Sequence, residues 1–400
     1  MSKNMSIFNS KDGGSGSDRD YKDKIRIYRV QNLYRALLII AAVAVVAIII
    51  RLQYVNHVYT SYTVVSSVER AKASDASDMR LGSSILTYSK DGAHLTDASG
   101  NVPWNQTYEI QDITMDAKGS VVGIGNYNGR DIYILDEQRQ LCKISTTMPI
   151  RNVVVSENGN STVVIYDTDV TYIDTYDSAG NLLYSGQAHM SGSGYPAALA
   201  LSPNGKMLAV AYLYVDAGTV KTTVAFYNFG PVGDNYKDYL VGGHDYTDTI
   251  VAEVGFLSNG CAYAVADNRL MFYTGDEQPS FKTQYLEYAD KEIRSVYSGN
   301  GHLGIIVGSD KEEYKYRMDV YDASGSLTGN FYFSTDYADV FFEKNDFVIY
   351  NEAECLIRTY DGKTKFEGSF DSAVNVMLPT DKAYRYVIAN DTEITTIQLN

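Results

Sequence analysis

The chain has 400 residues and a net charge of −15, from 49 Asp and Glu against 34 Lys and Arg. The charge is divided unevenly, because the first 55 residues carry nine Lys and Arg against four Asp and Glu, and the remainder carries 25 against 45. This acidic remainder excludes nucleic acid as an expected partner, since nucleic-acid binding depends on basic groups that release counterions from phosphates.

Residues 1–32 are predicted to form a disordered, basic tail. The first 20 residues are rich in Gly, Ser and Asp, a composition that cannot bury enough apolar surface to fold. Lys22 to Arg35 is basic and interleaved with tyrosines, and we expect it to rest on anionic lipid. Binding of a protein partner is the alternative for this stretch.

An uninterrupted apolar run, Ala36 to Ile50, predicts a transmembrane helix over residues 33–55, with the lipid bilayer as its partner. Fifteen residues cover about 22 Å, so flanking residues must complete the roughly 30 Å of hydrocarbon. Arginine stems and tyrosine rings suit the two membrane interfaces. The predicted anchors are Tyr34, Arg35, Arg51 and Tyr54.

Two alternatives to an uncleaved anchor are disfavoured. A buried core helix would show a polar stripe at helical spacing, and this run has none. A cleaved secretory signal needs small residues just after the apolar core, but the first such triplet is Ala71-Lys72-Ala73. The excess of Lys and Arg before the run predicts a cytoplasmic N-terminus and an extracellular remainder at the cell membrane. Residues 56–80 are predicted to be an extracytoplasmic stalk.

From residue 81 to 400 the sequence repeats a β-rich pattern with a period of about 40 to 50 residues, which is typical of four-stranded propeller blades. Each repeat is marked by a turn in which Asp accepts hydrogen bonds from backbone amides and Gly supplies a positive φ. The clearest copies are Asp97-Ala98-Ser99-Gly100, Asp177-Ser178-Ala179-Gly180 and Asp322-Ala323-Ser324-Gly325.

The fold class is therefore all-β, a seven- or eight-bladed β-propeller preceded by a single transmembrane helix. Eight units can be delimited, at 81–108, 109–148, 149–190, 195–247, 249–289, 290–335, 336–371 and 372–400. The first unit lacks an inner strand and the last lacks an outer strand in this interpretation. These two units could instead form one closing blade, which would make seven, but eight blades are favoured.

The sequence contains no catalytic, cofactor or metal motif. G-x-S-x-G is absent, and the five histidines show no metal-ligand spacing. Cys142, Cys261 and Cys355 fall in three different units, so they are predicted to be small buried hydrophobic residues and not a disulfide framework. We expect no enzyme activity, no cofactor and no bound metal.

Candidate binding residues come from loops expected on one face of the propeller, near the mouth of its channel. Two Gly-rich stretches, Ala188–Tyr195 and Val241–Asp248, are predicted to connect outer strands to inner strands. Loops between second and third strands are expected on the same face. The candidates are His189, His244, Asp245, Tyr127, Arg130 and Asp216. Ordinary polar surface loops would explain these residues equally well.

The arrangement of basic tail, membrane helix, stalk and acidic, Tyr-rich repeats resembles an uncharacterised family of single-pass, membrane-anchored β-propeller proteins of Gram-positive Clostridia, a domain of unknown function. Turns such as Ser202-Pro203-Asn204-Gly205 are similar to those of WD40-like and quinoprotein-like propeller repeats. Trp104 is the only tryptophan, so the repeated tryptophan of quinoprotein blades is missing and a quinone is not expected. The resemblance implies a fold and a location but no activity.

Together these patterns predict a membrane-tethered, extracytoplasmic propeller that acts as a non-enzymatic scaffold for a protein partner at the cell envelope. Two alternatives remain open. The propeller could bind or hydrolyse a cell-surface glycan, or it could sense a ligand and signal through the membrane helix.

Overall fold

The computed structural model describes residues 16–168, 170–189, 192–286 and 288–400. The chain divides into two compact units that meet in sequence between His57 and Val58. The first 15 residues of the predicted tail lie outside the described residues, as do the side chains of the predicted anchors Arg51 and Tyr54.

A single helix, α1, runs from Gly16 to Asn56. No Gly or Pro interrupts the sequence between Ser17 and Asn56, so a helix nucleated in the apolar run can propagate towards the N-terminus at little cost. The prediction of disorder for residues 1–32 is therefore wrong from residue 16 onward. Charged residues lower the hydrophobicity of this stretch without preventing helix formation.

Part of α1, Arg26–Ile49, is long and apolar enough to cross a membrane. Its apolar side chains have no protein cover, since Leu38, Ile39 and Ile40 are 70%, 65% and 64% exposed. The predicted anchors Tyr34 and Arg35 are also exposed on this helix.

The second unit consists of eight four-stranded antiparallel sheets, each a blade of a β-propeller. Blade 1 contains β2 (Ser77–Leu81), β3 (Ser84–Tyr88), β4 (Gly92–Thr96) and β5 (Asn105–Thr107), and blade 2 contains β6 (Ile113–Lys118), β7 (Val121–Asn126), β8 (Asp131–Leu135) and β9 (Gln140–Ser145). Blade 3 contains β10 (Ile150–Val155), β11 (Ser161–Asp167), β12 (Val170–Tyr176) and β13 (Leu182–His189). Blade 4 contains β14 (Tyr195–Leu201), β15 (Met207–Asp216), β16 (Thr219–Asn228) and β17 (Leu240–Thr247).

Blade 5 contains β18 (Val251–Ser258), β19 (Cys261–Ala266), β20 (Leu270–Thr274) and β21 (Ser280–Tyr285). Blade 6 contains β22 (Ile293–Gly299), β23 (His302–Gly308), β24 (Tyr316–Tyr321) and β25 (Leu327–Phe333). Blade 7 contains β26 (Asp339–Phe342), β27 (Asp346–Tyr350), β28 (Glu354–Thr359) and β29 (Thr364–Ser369). Blade 8 contains β30 (Val376–Pro379), β31 (Arg385–Ala389), β32 (Glu393–Leu399) and β1 (Tyr62–Glu69). Two 3-10 turns, Gly233–Asn235 and Lys237–Tyr239, precede β17.

The first strands of neighbouring blades contact one another, as in the pairs β6 and β10, β14 and β18, β22 and β26, and β2 and β30. The first strand of each blade is therefore the innermost, and the fourth is the outermost. The prediction of eight blades is confirmed.

The closing blade corrects the prediction for residues 56–80. β1 pairs with β32 from Tyr62↔Leu399 to Glu69↔Glu393, so most of the predicted stalk belongs to the propeller. β1 supplies the outer strand that the last unit lacks. β2 supplies the inner strand of the first unit, which was wrongly predicted to be missing. Pairing β1 with β32 joins the two ends of the ring and covers an open sheet edge.

The predicted turns and core are present. Asp97 Oδ1 accepts hydrogen bonds from the amides of Ser99 at 2.8 Å and Asn101 at 2.9 Å, and Gly100 has a φ of 83°. Apolar clusters fill the spaces between blades, and many are rich in tyrosine, with Tyr263 and Tyr273 fully buried. Cysteines 142, 261 and 355 are free and buried, which confirms their predicted role in the core.

Candidate functional site

The propeller has two faces with different connections. One carries the turns between second and third strands and the connections from each fourth strand to the next blade; we call it the mouth face. Both ends of the propeller unit lie on the opposite face, where the amide of Thr60 donates to the carbonyl of Asn400 at 3.0 Å. The mouth face is therefore free of chain ends.

Four of the six predicted binding residues lie on the mouth face. Tyr127 and Arg130 occupy the turn between β7 and β8, and both are exposed. Asp216 ends β15 and forms an ion pair of 2.7 Å with Lys221. His189 is the last residue of β13. The structure brings Tyr127 and Arg130 together in one turn, whereas Asp216 and His189 belong to other blades.

His244 and Asp245 do not lie on the mouth face. The prediction of a loop at Val241–Asp248 is wrong for all of these residues except Asp248, because Val241 to Thr247 lie in a strand. These residues form β17, the outermost strand of blade 4. Exposed and less exposed residues alternate along β17, and the strand pairs with β16. The glycines of β17 therefore lie within a strand and not in a loop. The His244 ring packs 5.2 Å from Tyr273, and burial lowers its pKa.

An arginine held between two tyrosine rings is the best-defined feature of the mouth face. The Cζ atom of Arg151 lies 5.2 Å from the ring centre of Tyr127 and 5.4 Å from that of Tyr166. Its Nη1 donates to Oδ1 of Asn128. We call Tyr127, Arg151 and Tyr166 the arginine–tyrosine cluster. Sequence reasoning found Tyr127 but missed the other two, because their proximity depends on how blades 2 and 3 pack.

Regular backbone bulges place Arg151 at this position. The first strands of blades 3 to 6 each contain a bulge near their start, where one extra residue interrupts the pairing. The extra residues are Arg151, Ala197, Ala252 and Arg294. Arg294 also lies over a tyrosine, with Cζ 5.7 Å from the ring centre of Tyr316. The inner rim thus has two arginines on aromatic rings, separated by two small residues.

Exposed apolar side chains extend the mouth face across blades 4 and 5. Tyr195 and Val215 are 39% and 69% exposed, and Ile250 and Leu286 are 42% and 54% exposed. Several exposed apolar residues on one face mark a candidate interaction site, whereas scattered single ones need no explanation.

A cavity of about 650 Å³ occupies part of the central channel. It is lined by the first strands of blades 1, 7 and 8 and by turns of blades 2, 3 and 6. Arg80 from β2 is its central cation, with Cζ 4.5 Å above the ring of Phe341. Asp339 and Glu343 contribute carboxyl groups to the wall, and Tyr350 contributes a phenol.

Burial shapes the ionisation of the channel carboxyls. It raises the pKa of Asp339 despite the attraction of Arg80, and Asp339 Oδ2 accepts a hydrogen bond of 3.3 Å from Tyr350. Burial also raises the pKa of Glu343 and of Glu253, whose Oε1 accepts from Tyr263 at 2.8 Å. Burial thus disfavours the charged form of these carboxyls, while nearby cations and hydrogen bonds favour it. Across the part of the chain that the structure describes, no three His, Cys, Asp or Glu residues are grouped to hold a metal ion.

These features define an eight-bladed β-propeller with one apolar N-terminal helix that could cross a membrane. A family model described as "Family of unknown function (DUF5711)" matches residues 55–399, and the chain belongs to this family. The predicted resemblance to a propeller family of unknown function is thereby confirmed. An origin in Clostridia and single-pass anchoring remain predictions.

Several solved propellers are similar in fold. BamB from Moraxella catarrhalis is 12% identical with a TM-score of 0.48, and the match covers 85% of this chain and 100% of that one. The WD40 domain of Neurospora crassa Pan2 is 12% identical with a TM-score of 0.41, covering 72% and 87%. Kluyveromyces lactis Hsv2p is 10% identical with a TM-score of 0.46, covering 74% and 97%. A comparison with curated proteins found no match.

Proposed function

We propose that this protein is a membrane-tethered, extracytoplasmic scaffold whose mouth face binds a protein partner at the cell envelope. The observation that carries the proposal is the arginine–tyrosine cluster, which shares the face free of chain ends with the exposed Tyr195 and Val215 of blade 4. Tyrosine and arginine are enriched in the cores of protein interfaces and among the residues that dominate binding energy.

Support for the membrane location comes from composition. Arg26–Ile49 is long enough to span the hydrocarbon, and Lys and Arg are concentrated before the apolar run. This distribution favours a cytoplasmic N-terminus and an extracellular propeller. The acidic remainder is suited to the exterior side, because anionic lipid would repel it.

The location is tested with an epitope after Asn400 and protease added to intact cells. We expect loss of the epitope, retention of the intact N-terminus by mass spectrometry, and retention of the protein in membranes after alkaline extraction. A mature N-terminus beginning beyond the apolar run would show that Arg26–Ile49 is a cleaved signal, and a protected epitope would reverse the orientation.

No catalytic role is assigned to the mouth face. The arginine–tyrosine cluster contains aromatic rings and a permanently charged guanidinium, and these groups include no nucleophile paired with a base. Its chemistry suits recognition, because a guanidinium stacked on rings presents fixed hydrogen-bond donors at its edge.

Docking is tested by crosslinking and purification from detergent-solubilised membranes, comparing two faces of the same propeller. Arg151→Glu and Val215→Asp alter the mouth face. Val102→Asp is the matched control, since Val102 is 53% exposed and lies between the third and fourth strands of blade 1, on the opposite face. We expect one stoichiometric partner with the wild type and the control, and its loss with both mouth variants. Recovery of no partner, or equal recovery with every variant, would contradict the proposal.

A further inference from the structure

The central cavity has the size and composition of a small-molecule site. Its volume of about 650 Å³ lies within the range of roughly 300 to 1,000 Å³ that is usual for ligand pockets. Its wall combines aromatic rings, Phe342 and Tyr350, with amide and charged groups. Such convergence of a few polar groups on a concave surface is typical of binding sites.

Arg80 is the unusual group in this cavity. In the described part of the chain its guanidinium makes no hydrogen bond and no ion pair, and its one contact of note is the stack on Phe341. Stacking fixes the plane of the guanidinium and leaves its edge donors unused.

Two other arginines of the propeller, both largely buried, are paired with carboxylates. Arg317, 8% exposed, lies 2.7 Å from a carboxylate oxygen of Asp319. Arg70, 11% exposed, lies 2.5 Å from Asp78. Arg80 is part-buried at the wall of the cavity, and its guanidinium has no such partner among the described residues, so its edge donors are available to a partner from outside the chain.

The cavity also holds two carboxyl groups that do not neutralise Arg80. Asp339 and Glu343 are close enough to interact with Arg80 electrostatically, but neither lies within ion-pair distance of it among the described residues. Asp339 is hydrogen-bonded to Tyr350 instead, and the Glu343 carboxyl has no hydrogen bond in the described part. Opposite charges thus line one cavity without pairing.

We propose that the cavity binds a small zwitterion of the amino-acid or short-peptide class. Its carboxylate binds the edge donors of Arg80, and its ammonium group is neutralised by Asp339 and Glu343. A purely anionic ligand would face those two carboxyls and Glu157, which also lines the cavity. A purely cationic ligand would face Arg80. A zwitterion satisfies both charges and adds no net charge to the acidic propeller.

The proposal is tested by titration calorimetry on the full-length chain in detergent micelles. The probes are glycylglycine and L-alanine as zwitterions, acetate and ethylamine as single charges, and maltose as a neutral sugar. We expect at least one zwitterion to bind, and both singly charged probes to bind at least about tenfold more weakly or not at all.

Variants separate recognition from folding. Arg80→Met keeps an apolar stem over Phe341 but removes the donors, and it should weaken zwitterion binding at least about tenfold. Arg294→Ala is the matched control, since Arg294 also stacks on a tyrosine but lies outside the lining of the cavity, and it should change nothing. Each variant is first shown to unfold at the wild-type temperature, and Arg80→Lys replaces Arg80→Met if the latter does not fold.

Three results would overturn the proposal. They are the absence of binding by any zwitterion, zwitterion affinity unchanged in the Arg80 variant, and binding of acetate as strong as that of glycylglycine. Where no zwitterion binds, binding of maltose that is insensitive to Arg80 would indicate a glycan site instead. Partner capture at the mouth face is independent of these outcomes, because the Arg80 variant leaves the mouth face unaltered.

Discussion

Arg70 and Asp78 form a buried ion pair across the junction where the propeller ring closes, with Nη2 of Arg70 2.5 Å from Oδ2 of Asp78. Arg70 Nε also donates to the carbonyl of Asn390 in blade 8, while Asp78 belongs to β2 of blade 1. Lys72 adds a second link, 3.3 Å from Asp78 and 3.0 Å from Asp391. The short segment between β1 and β2 therefore ties the last blade to the first.

Removing the charge of Asp78 should open this junction. Asp78→Asn leaves Arg70 without its carboxylate partner in a buried position, although Lys72 keeps Asp391, and such a loss typically costs about 3 to 5 kcal/mol of unfolding free energy. Adding Arg70→Met should recover part of that loss, because the uncompensated charge is then removed. Chemical denaturation of the single and double variants measures both effects.

An exposed pair provides the control for Asp78. Asp361 and Lys363 lie 3.1 Å apart but are 58% and 45% exposed, so Asp361→Asn should cost less than about 1 kcal/mol. Equal losses for the two aspartates would contradict a special role for the junction. Burial opposes ionisation of Asp78, but hydrogen bonds from Arg70 and Thr87 lower its pKa overall. Its stabilising effect should therefore be present at neutral pH and fade as the pH falls below about 4.

The local parts of this fold could be predicted from the sequence, since their causes lie within a few residues. The turn at Asp97 depends on its own neighbours, so its motif is visible and repeats with the blades. The role of Tyr62–Glu69 depends on β32, more than 300 residues away, and the segment alone shows only a preference for extended structure. A stalk was the wrong interpretation because closure of the ring is a property of the whole chain.

In the candidate site, too, residues whose position has a local cause could be predicted, and residues whose position depends on packing of distant segments could not. Tyr127 was found because its turn could be assigned to a face, but Arg151 needed the packing of two blades. His244 was assigned wrongly since Gly242 and Gly243 suggested a loop, whereas pairing with β16 keeps them in a strand. The unpaired state of Arg80 could not be predicted at all, because it depends on the absence of contacts in three dimensions.

A buried hydroxyl network should contribute to stability between blades 5 and 6. The Tyr288 hydroxyl lies 2.7 Å from that of Tyr321 and donates to Asp319 at 3.0 Å. Tyr288→Phe leaves these buried groups with one partner fewer, so we expect a loss of about 1 to 3 kcal/mol in unfolding free energy.

Tyr108 supplies the matched control for this loss. Its hydroxyl is buried with no hydrogen-bond partner among the described residues, so Tyr108→Phe should be neutral or stabilising by up to about 1 kcal/mol. Denaturation of both variants under one condition gives the comparison. A larger loss for Tyr108→Phe than for Tyr288→Phe would contradict the assigned network.

Asp346 should make stability fall as the pH rises through the weakly acidic range. It is 7% exposed, and burial raises its pKa to about 6, although Lys365 opposes the shift. Because the folded pKa is above the unfolded value of about 3.9, the contribution of Asp346 is fully present below about pH 4 and is lost as the pH passes 6.

The Asp346→Asn variant isolates this contribution. Between about pH 4 and pH 7 its unfolding free energy should rise relative to the wild type by up to roughly 3 kcal/mol, the equivalent of two pKa units. Only the pH dependence of the difference is diagnostic, since the many other carboxyls titrate in both proteins. A difference that is constant with pH would show that Asp346 ionises normally in the folded state.

The three free thiols should report on opening of the ring. Burial raises the pKa of all three, that of Cys261 to about 11, and Cys355 and Cys261 are only 1% and 2% exposed. Thiolates are the reactive form of cysteine. A maleimide at neutral pH should therefore label neither Cys261 nor Cys355 in the native protein, and should label both after unfolding.

The junction variant Asp78→Asn should change the order in which these thiols become reactive. Cys355 packs between blades 7 and 8, with its sulfur 4.0 Å from that of Met377, and detachment of blade 8 would expose it. Cys261 packs between blades 5 and 6, distant from the junction. Mass spectrometry should therefore show faster labelling of Cys355 in the variant with little change at Cys261. Equal acceleration at both would indicate that loss of the Arg70–Asp78 pair destabilises the whole ring and not the closing blade.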